Sequence, residues 1–319
     1  MVNLIRLSVV LFGLAFVCCG SESENEKVTP QEPVEPPLEV GYSLSIAHFT
    51  TEKLAAAKEA GILHIEVSGM SNFVDANRKF RMTDAEITEK VTNAKKLADA
   101  AGINIWSVHM PYGQYIDISL IDEAQREDVV AVHKKLLGFL KILEPEIILF
   151  HPSWYLGLNE RDARKSQMLK SATELDAAVR EIGSTMVIEN MLGPALTVGA
   201  DRERPLMRTV DETVELFQRL PSTVYLAVDM NHIKNPENLI RALGNKLRTV
   251  HVADGTGEAE NHYYPCSGEG RNDWSQILAA LEEVGYEGPF LYESDYPSEK
   301  ALVECYHTLH KNYIEKKNR

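Results

Sequence analysis

From Val40 to the C-terminus one unit recurs: a short β-rich apolar run, a polar loop, then a stretch with helical apolar spacing. The strand candidates are Val40–Ile46, Leu63–Val67, Ile103–His109, Ile147–His151, Met186–Glu189, Val224–Asp229, Thr249–Val252 and Phe290–Glu293. Helical stretches follow them at Thr51–Ala60, Thr83–Ala101, Glu123–Leu143, Arg161–Ile182, Val210–Leu220, Asn235–Leu247, Trp274–Val284 and Ser298–Lys316. Strands that alternate with helices pair in parallel, because a parallel neighbour needs a crossover and the helix is that crossover. Eight such units in roughly 280 residues fit one α/β domain, a closed (β/α)8 TIM barrel. The competing architecture is an open, doubly wound sheet. It carries a Gly-rich phosphate turn after an early strand, and the chain has neither G-x-G-x-x-G nor a P-loop. Ala60-Gly61 and Ala101-Gly102 suit left-handed helix caps before the next strand.

The N-terminus differs in kind. Met1 to Arg6 carry one positive side chain, and Leu7 to Val17 form an apolar run too short to span a bilayer, the layout of a secretory signal. It ends in Cys18-Cys19-Gly20-Ser21, which resembles the lipobox of bacterial lipoproteins, with Cys19 the residue to be lipidated because small Cys18 precedes the cut. The expected organisation is a signal peptide over 1–19, a Glu/Pro-rich linker over 20–38 and the barrel over 39–319. That implies an extracytoplasmic protein, lipid-anchored in a bacterial envelope and touching the membrane through its anchor only; a secretory signal without lipid is the alternative. Cys266 and Cys305 remain in the mature domain, and the sequence leaves their pairing open.

The 319 residues carry a formal net charge of -14 and no Lys/Arg run, so nucleic acid is not an expected partner. Barrel enzymes work at the carboxyl ends of their strands. Read in order, those ends give Glu66, His109, His151, Glu189, Asp229 with His232, His251 and Glu293. By strand alternation, Ser107 and Ile105 lie beneath His109, Leu149 and Ile147 beneath His151, and Ala227 and Tyr225 beneath Asp229, each an inward column. Trp106 then has outward parity and packs under a helix, while His64 packs inside the barrel. A lone strand-end histidine is more often structural than functional. Convergence changes that, since several carboxylates at one mouth repel unless a cation sits among them. Glu, Asp and His suit one divalent ion, Mn, Mg, Co or Zn, and no NAD is expected.

The ordered set Glu66, His109, His151, Glu189-Asn190, Asp229-x-x-His232, His251-x-x-Asp254, Gly268-Glu269-Gly270 and Glu293 resembles the xylose-isomerase-like TIM-barrel superfamily of sugar isomerases, epimerases, inosose dehydratases and zinc endonucleases. The resemblance covers roughly residues 40 to 315. It implies that Glu189, Asp229, His251 and Glu293 hold the metal and that Glu189 and Glu293 are the catalytic acid and base on opposite faces of a sugar. Glu66, His109, His151, His232 and His262 are then expected on sugar hydroxyls, with Trp154 as an apolar platform. The endonuclease branch uses more ligands for three zincs, and Glu260-x-His262 is the nearest counterpart here of its D-x-H pair. Sugar epimerases of the superfamily often have an arginine after the strand-seven motif; here Arg271 is the nearest. The substrate expected outside the cytoplasm is a small free sugar, keto-sugar or glycoside fragment. The same proton chemistry serves a keto-sugar lyase or hydratase, and an inactive sugar-binding lipoprotein is the reading from another class. The segment from Leu192 to Thr209, rich in Gly and Pro, has the length of a lid. Oligomeric state is not legible.

Overall fold

A computed structural model describes residues 35–319; the expected leader, Cys19 and most of the linker lie outside them. The eight long strands are β1 (Val40–Ser45), β2 (Ile62–Ser68), β3 (Asn104–His109), β4 (Ile147–Phe150), β5 (Thr185–Glu189), β6 (Tyr225–Asp229), β7 (Leu247–His251) and β8 (Phe290–Tyr292). The helices are α1 (Thr51–Ala60), α2 (Asp84–Ala101), α3 (Glu123–Leu140), α4 (Arg161–Glu181), α5 (Val210–Phe217), α6 (Pro236–Ala242), α7 (Trp274–Glu283) and α8 (Glu299–Lys317). Successive strands pair in parallel from β1 to β7, and β8 pairs with β1. A parallel bridge between Val252 and Tyr292 joins β7 to β8, with Val252 N donating to Leu291 O (2.8 Å). The barrel is thereby closed.

Local sequence explains the regularity. Thr83 and Glu86 form a reciprocal capping box at the start of α2, and Gly61 and Gly102 end α1 and α2 in the left-handed conformation. The outer faces of the strands, such as Val67, Val108, Ile188 and Val250, are buried in the layer beneath the helices. A separate inner layer of Ile147, Leu149, Val187 and Ala227, with Trp106 and Tyr225 against it, fills the lumen.

Strand parity fails in β3 beneath His109. Ile65 pairs with Ile105 but Glu66 pairs with Ser107, so β3 carries an extra residue at Trp106. The bulge turns Ile105 outward into the helix-facing core, and Trp106 inward, where its Nε1 donates across the lumen to Thr249 Oγ1 (3.2 Å). Trp106 therefore does not pack under a helix, and Ile105 does not lie beneath His109. Nothing in the residue types of β3 signals a bulge.

The segment expected as a lid is tied down. Thr197–Val198 and Arg202–Glu203 pair antiparallel, and Arg202–Glu203 also pairs with Leu156–Gly157. Arg161 fastens this small sheet through Glu203 Oε2 (2.9 Å) and Arg204 O (2.5 Å).

Cys266 and Cys305 are bonded, which ties the loop after β7 to α8. They lie 39 residues apart, a loop whose closure in the unfolded chain is worth about 4 kcal/mol on the chain-entropy account. Cys305→Ser is therefore expected to lower the denaturant midpoint markedly, and dithiothreitol to do the same to the wild type. An unchanged midpoint in both would show that the bond adds nothing to stability.

Candidate metal centre

The carboxyl ends of β2 to β8 deliver Glu66, His109, His151, Glu189, Asp229, His251 and Glu293 to one mouth, with His232 three residues beyond β6. Glu66, Asp229 and His251 are fully buried and Glu189 is 1% exposed. The side chain of Glu293 is 27% exposed, so it is the carboxylate of the set that meets solvent.

Glu189 is the centre of the cluster. His109 Nε2 and His151 Nε2 stand 3.6 and 3.3 Å from its Oε2, and His232 Nδ1 and His251 Nδ1 each stand 3.4 Å from its Oε1. Asp229 Oδ2 is 3.4 Å from His232 Nδ1, and Glu293 Oε2 is 2.6 Å from His251 Nδ1. Three groups of potential ligands result: His109, His151 and Glu189; Glu189, Asp229, His251 and Glu293; and Asp229, His232 and His262. Within each, one donor atom per residue lies within 4.8 Å of the others. Glu189 and Asp229 are each shared by two groups. The four residues expected to hold one ion form the middle group. All four histidines expected on sugar hydroxyls, His109, His151, His232 and His262, sit at distances that also suit metal ligation.

The donor set fits divalent ions. Both oxygens of Glu189 and Asp229 Oδ2 are buried without a hydrogen-bond partner. Isolated buried carboxylate oxygens are costly, and ligation by a cation satisfies them. The histidines are also oriented as ligands are. His109 Nδ1 bonds Met110 O (3.0 Å), leaving Nε2 toward Glu189. Glu66 is buried behind His251, where its Oε2 accepts from Ser107 Oγ (2.8 Å) and pairs with His251 Nε2 (3.0 Å), leaving Nδ1 toward Glu189 and Glu293. A carboxylate behind a ligating imidazole fixes its tautomer and direction. Glu66 is thus placed to orient His251.

A loop supplies the outer residues. Asn231 Oδ1 accepts from Asn261 N (3.1 Å) and His262 N (3.2 Å), which holds His262 at φ 45°, a strained conformation for a non-glycine residue. Glu260 Oε2 reaches His232 Nε2 (2.9 Å) and His262 Nε2 (3.2 Å). Asp254 fastens the rest of the loop, accepting from Gly255 N, Asn272 N and Trp274 Nε1. A Cβ at Gly270 would fall 1.9 Å from Asp254 Cγ, so Gly270 serves close packing here. Arg271 is exposed and engages the loop through its backbone, N to Gly255 O (3.1 Å).

The charges hold one another. Burial disfavours protonated His109, yet the Glu189 carboxylate beside it and the charges of Glu66 and Glu293 raise it to about 9. His232 and His251 are raised well above the usual imidazole value against the same burial, by Asp229 and by Glu293 respectively. His262 reaches about 10, chiefly through Glu260 once burial is overcome. Burial raises Asp229 to about 6, while the charge of His251 holds Glu293 down at about 2.

Several of these residues carry little signal in the sequence. Glu260 is visible there only as half of an E-x-H pair, Asn231 sits as an unspecified position inside Asp229-x-x-His232, and Tyr112 has no motif around it. The Tyr112 ring stacks on His151 (4.5 Å between centroids) and stands 5.1 Å from His109. Trp154 lies beside the cluster, lining a narrow crevice with His151 and Tyr112, its backbone N bonded to Asp117 Oδ2 (3.0 Å).

Comparison with known proteins agrees with this architecture. A family model described as a xylose isomerase-like TIM barrel matches residues 54–310. A protein of uncharacterised function from Methanocaldococcus jannaschii is 21% identical over 250 residues, 77% of this chain and 89% of that one. Among solved structures, a D-tagatose 3-epimerase-like protein is similar at a TM-score of 0.66 and 18% identity, covering 88% of this chain and 98% of its own. An L-ribulose 3-epimerase (0.65, 17% identity) covers 88% and 96%. The 3-keto-D-glucoside 4-epimerase of E. coli (0.63, 16% identity) covers 87% and 99%. At these identities the likeness is one of fold.

Four imidazoles here have raised proton affinity, and a ligating imidazole must be neutral. Binding of Mn²⁺ or Zn²⁺ at pH 7 is therefore expected to release about one or more protons per ion, and affinity to rise with pH. Calorimetry in two buffers of different ionisation enthalpy measures this; no release would contradict the arrangement. Asn231→Ala, which frees the His262 backbone, is expected to weaken ion binding by about 10- to 100-fold.

Proposed function

The chain belongs to the xylose isomerase-like TIM-barrel family, and we propose that it is a divalent-metal-dependent sugar isomerase or epimerase that moves a proton on the carbon next to a carbonyl. The observation that carries the reading is the convergence of two glutamates, Glu189 and Glu293, with Asp229 and His251 in one tight group of ligand atoms. Binding alone needs no such pair, which weighs against an inactive sugar-binding protein. When bound, a divalent ion supplies Lewis acidity that polarises the carbonyl and an adjacent hydroxyl and so acidifies the α C–H.

The chain's own residues do the rest. Glu189 and Glu293 serve as base and acid on the two sides of the reacting carbon, with His251 between them: the one in its ionised form takes the α proton, and the other, in its acid form, returns a proton to the opposite face. Glu293, the more exposed of the two, exchanges its proton with water; Glu189, 1% exposed, keeps its own longer. Glu66 and Ser107 hold His251 in direction from behind. Trp154 and Tyr112 offer ring faces to the apolar side of a sugar. The Cys266–Cys305 bond supports an address outside the reducing cytoplasm, in line with a secretory leader and lipidation at Cys19. There a free sugar or keto-sugar is the substrate, and a keto-sugar lyase or hydratase remains the alternative that uses the same groups.

A separate observation favours a second reading. Three ligand groups that share Glu189 and Asp229 suit several ions at once, the arrangement used for phosphoester hydrolysis. The formal charge of -14 disfavours nucleic acid as that substrate.

Proton NMR in D₂O separates these. With metal-loaded protein and a panel of ketoses and 3-keto-sugars, the isomerase reading expects an epimer or isomer deuterated at the α carbon without net uptake of water. A hydratase would instead consume an enone signal. Glu293→Gln is expected to lower the exchange rate by about 10² to 10⁴ while sugar binding persists. Phosphate release from simple phosphoesters with no α-exchange on any sugar would move the assignment to the second reading.

A further inference from the structure

Beyond the metal centre, on the side of the β3, β4 and β5 loops, lies a cavity of about 600 Å³. That is within the roughly 300–1,000 Å³ typical of small-ligand pockets, and none of the metal-ligating residues lines it. It nevertheless adjoins the centre across a shared wall. Asp117 and Trp154 line both the cavity and the crevice that holds His151 and Tyr112.

The shared wall is rigidly built. Asp117 is buried and accepts from Ser119 N and Ser119 Oγ (2.7 Å each), Trp154 N (3.0 Å) and Arg164 Nη1 (3.2 Å), which fixes the Trp154 backbone. The Trp154 and Tyr155 rings meet edge to face, 5.4 Å apart at 84°. Of the three arginines in the lining, Arg78 is paired with Asp128 and Arg164 with Asp117 and Glu160, while Arg202 is exposed and, among the described residues, free of ion pairs. Asp117, Glu160 and Asp201 balance these three charges, so the cavity selects no net charge. Around it, the exposed large apolar side chains among the described residues, Tyr112, Ile121, Leu158 and Leu196, all stand on the loops after β3, β4 and β5. Exposed apolar groups gathered at one rim mark a contact surface.

Aromatic faces for C–H surfaces, a free guanidinium and neutral amides for hydroxyls, and overall neutrality describe a site for an uncharged sugar ring. We propose that this cavity is a second sugar subsite, and that the substrate is a glycoside or disaccharide whose keto ring lies at the metal centre while its neighbouring ring crosses Trp154 into the cavity. This deepens the isomerase or epimerase reading and rests on it for which ring reacts.

The test compares binding of fructose with that of four keto-disaccharides built on fructose, lactulose, maltulose, turanose and isomaltulose, by calorimetry on the metal-loaded full domain. At least one disaccharide is expected to bind about tenfold or more tightly than fructose. In Tyr155→Ala, and in Arg202→Ala at an exposed position that leaves folding untouched, the ratio is expected to fall to within about twofold. No disaccharide binding more tightly than fructose, no binding of any, or a ratio unchanged in both variants, overturns the subsite. The two readings fail separately. An affinity ratio that depends on Tyr155 and Arg202, with no α-proton exchange on any sugar, leaves the subsite standing and removes the isomerase. Exchange on fructose with a ratio of one does the reverse.

Discussion

A buried carboxylate, Glu189, with four imidazole nitrogens within 3.6 Å of its oxygens, sets the terms for the rest of the domain. Glu66, Asp229 and Glu293 crowd the same mouth, and carboxylates brought together away from water repel and lose hydration. The protein groups offset this by holding protons on His109, His232, His251 and His262. A divalent cation would offset it more directly, and both oxygens of Glu189 lack a hydrogen-bond partner.

Holding such a cluster requires a rigid frame. Closure of the sheet through Val252 and Tyr292 fixes the strand ends relative to one another. The lumen beneath is packed with Trp106, Ile147, Leu149, Val187, Ala227 and Tyr225, so the mouth has an apolar floor. Above, the loop with Glu260 and His262 is tied by Asn231, by Asp254 and by the disulfide to α8. The strain at His262 is the local cost of bringing a loop histidine to a site built on strands.

Much of this is legible in the amino-acid sequence. All eight strands and eight helices appear, because strands buried on both faces read as unbroken apolar runs and most of the helices between them carry caps; the bounds agree to within three residues except at α6, which ends at Ala242, short of the expected Leu247, where β7 begins. The strand-end residues Glu189, Asp229, His251 and Glu293 come together because closure leaves strand ends nowhere else to go. Parity alone does not place Trp106, since one inserted residue reverses every side chain below it. The place of Glu66 behind His251 depends on a hydrogen bond between residues 185 positions apart. Tyr112, Asn231 and the clamp of Arg161 on the 197–203 sheet are likewise products of long-range packing. Local propensity carries no record of them.

The proposed function requires a cation that gathers these ligands. The most direct measurement is anomalous diffraction from crystals of the purified domain soaked in Mn²⁺ or Zn²⁺. The expected result is a peak bonded to Glu189, Asp229, His251 and Glu293 at about 2.0–2.3 Å, with further peaks allowed at the two flanking groups. Crystals in which these four side chains hold no ion at saturating metal, and remain paired only with one another, would contradict it.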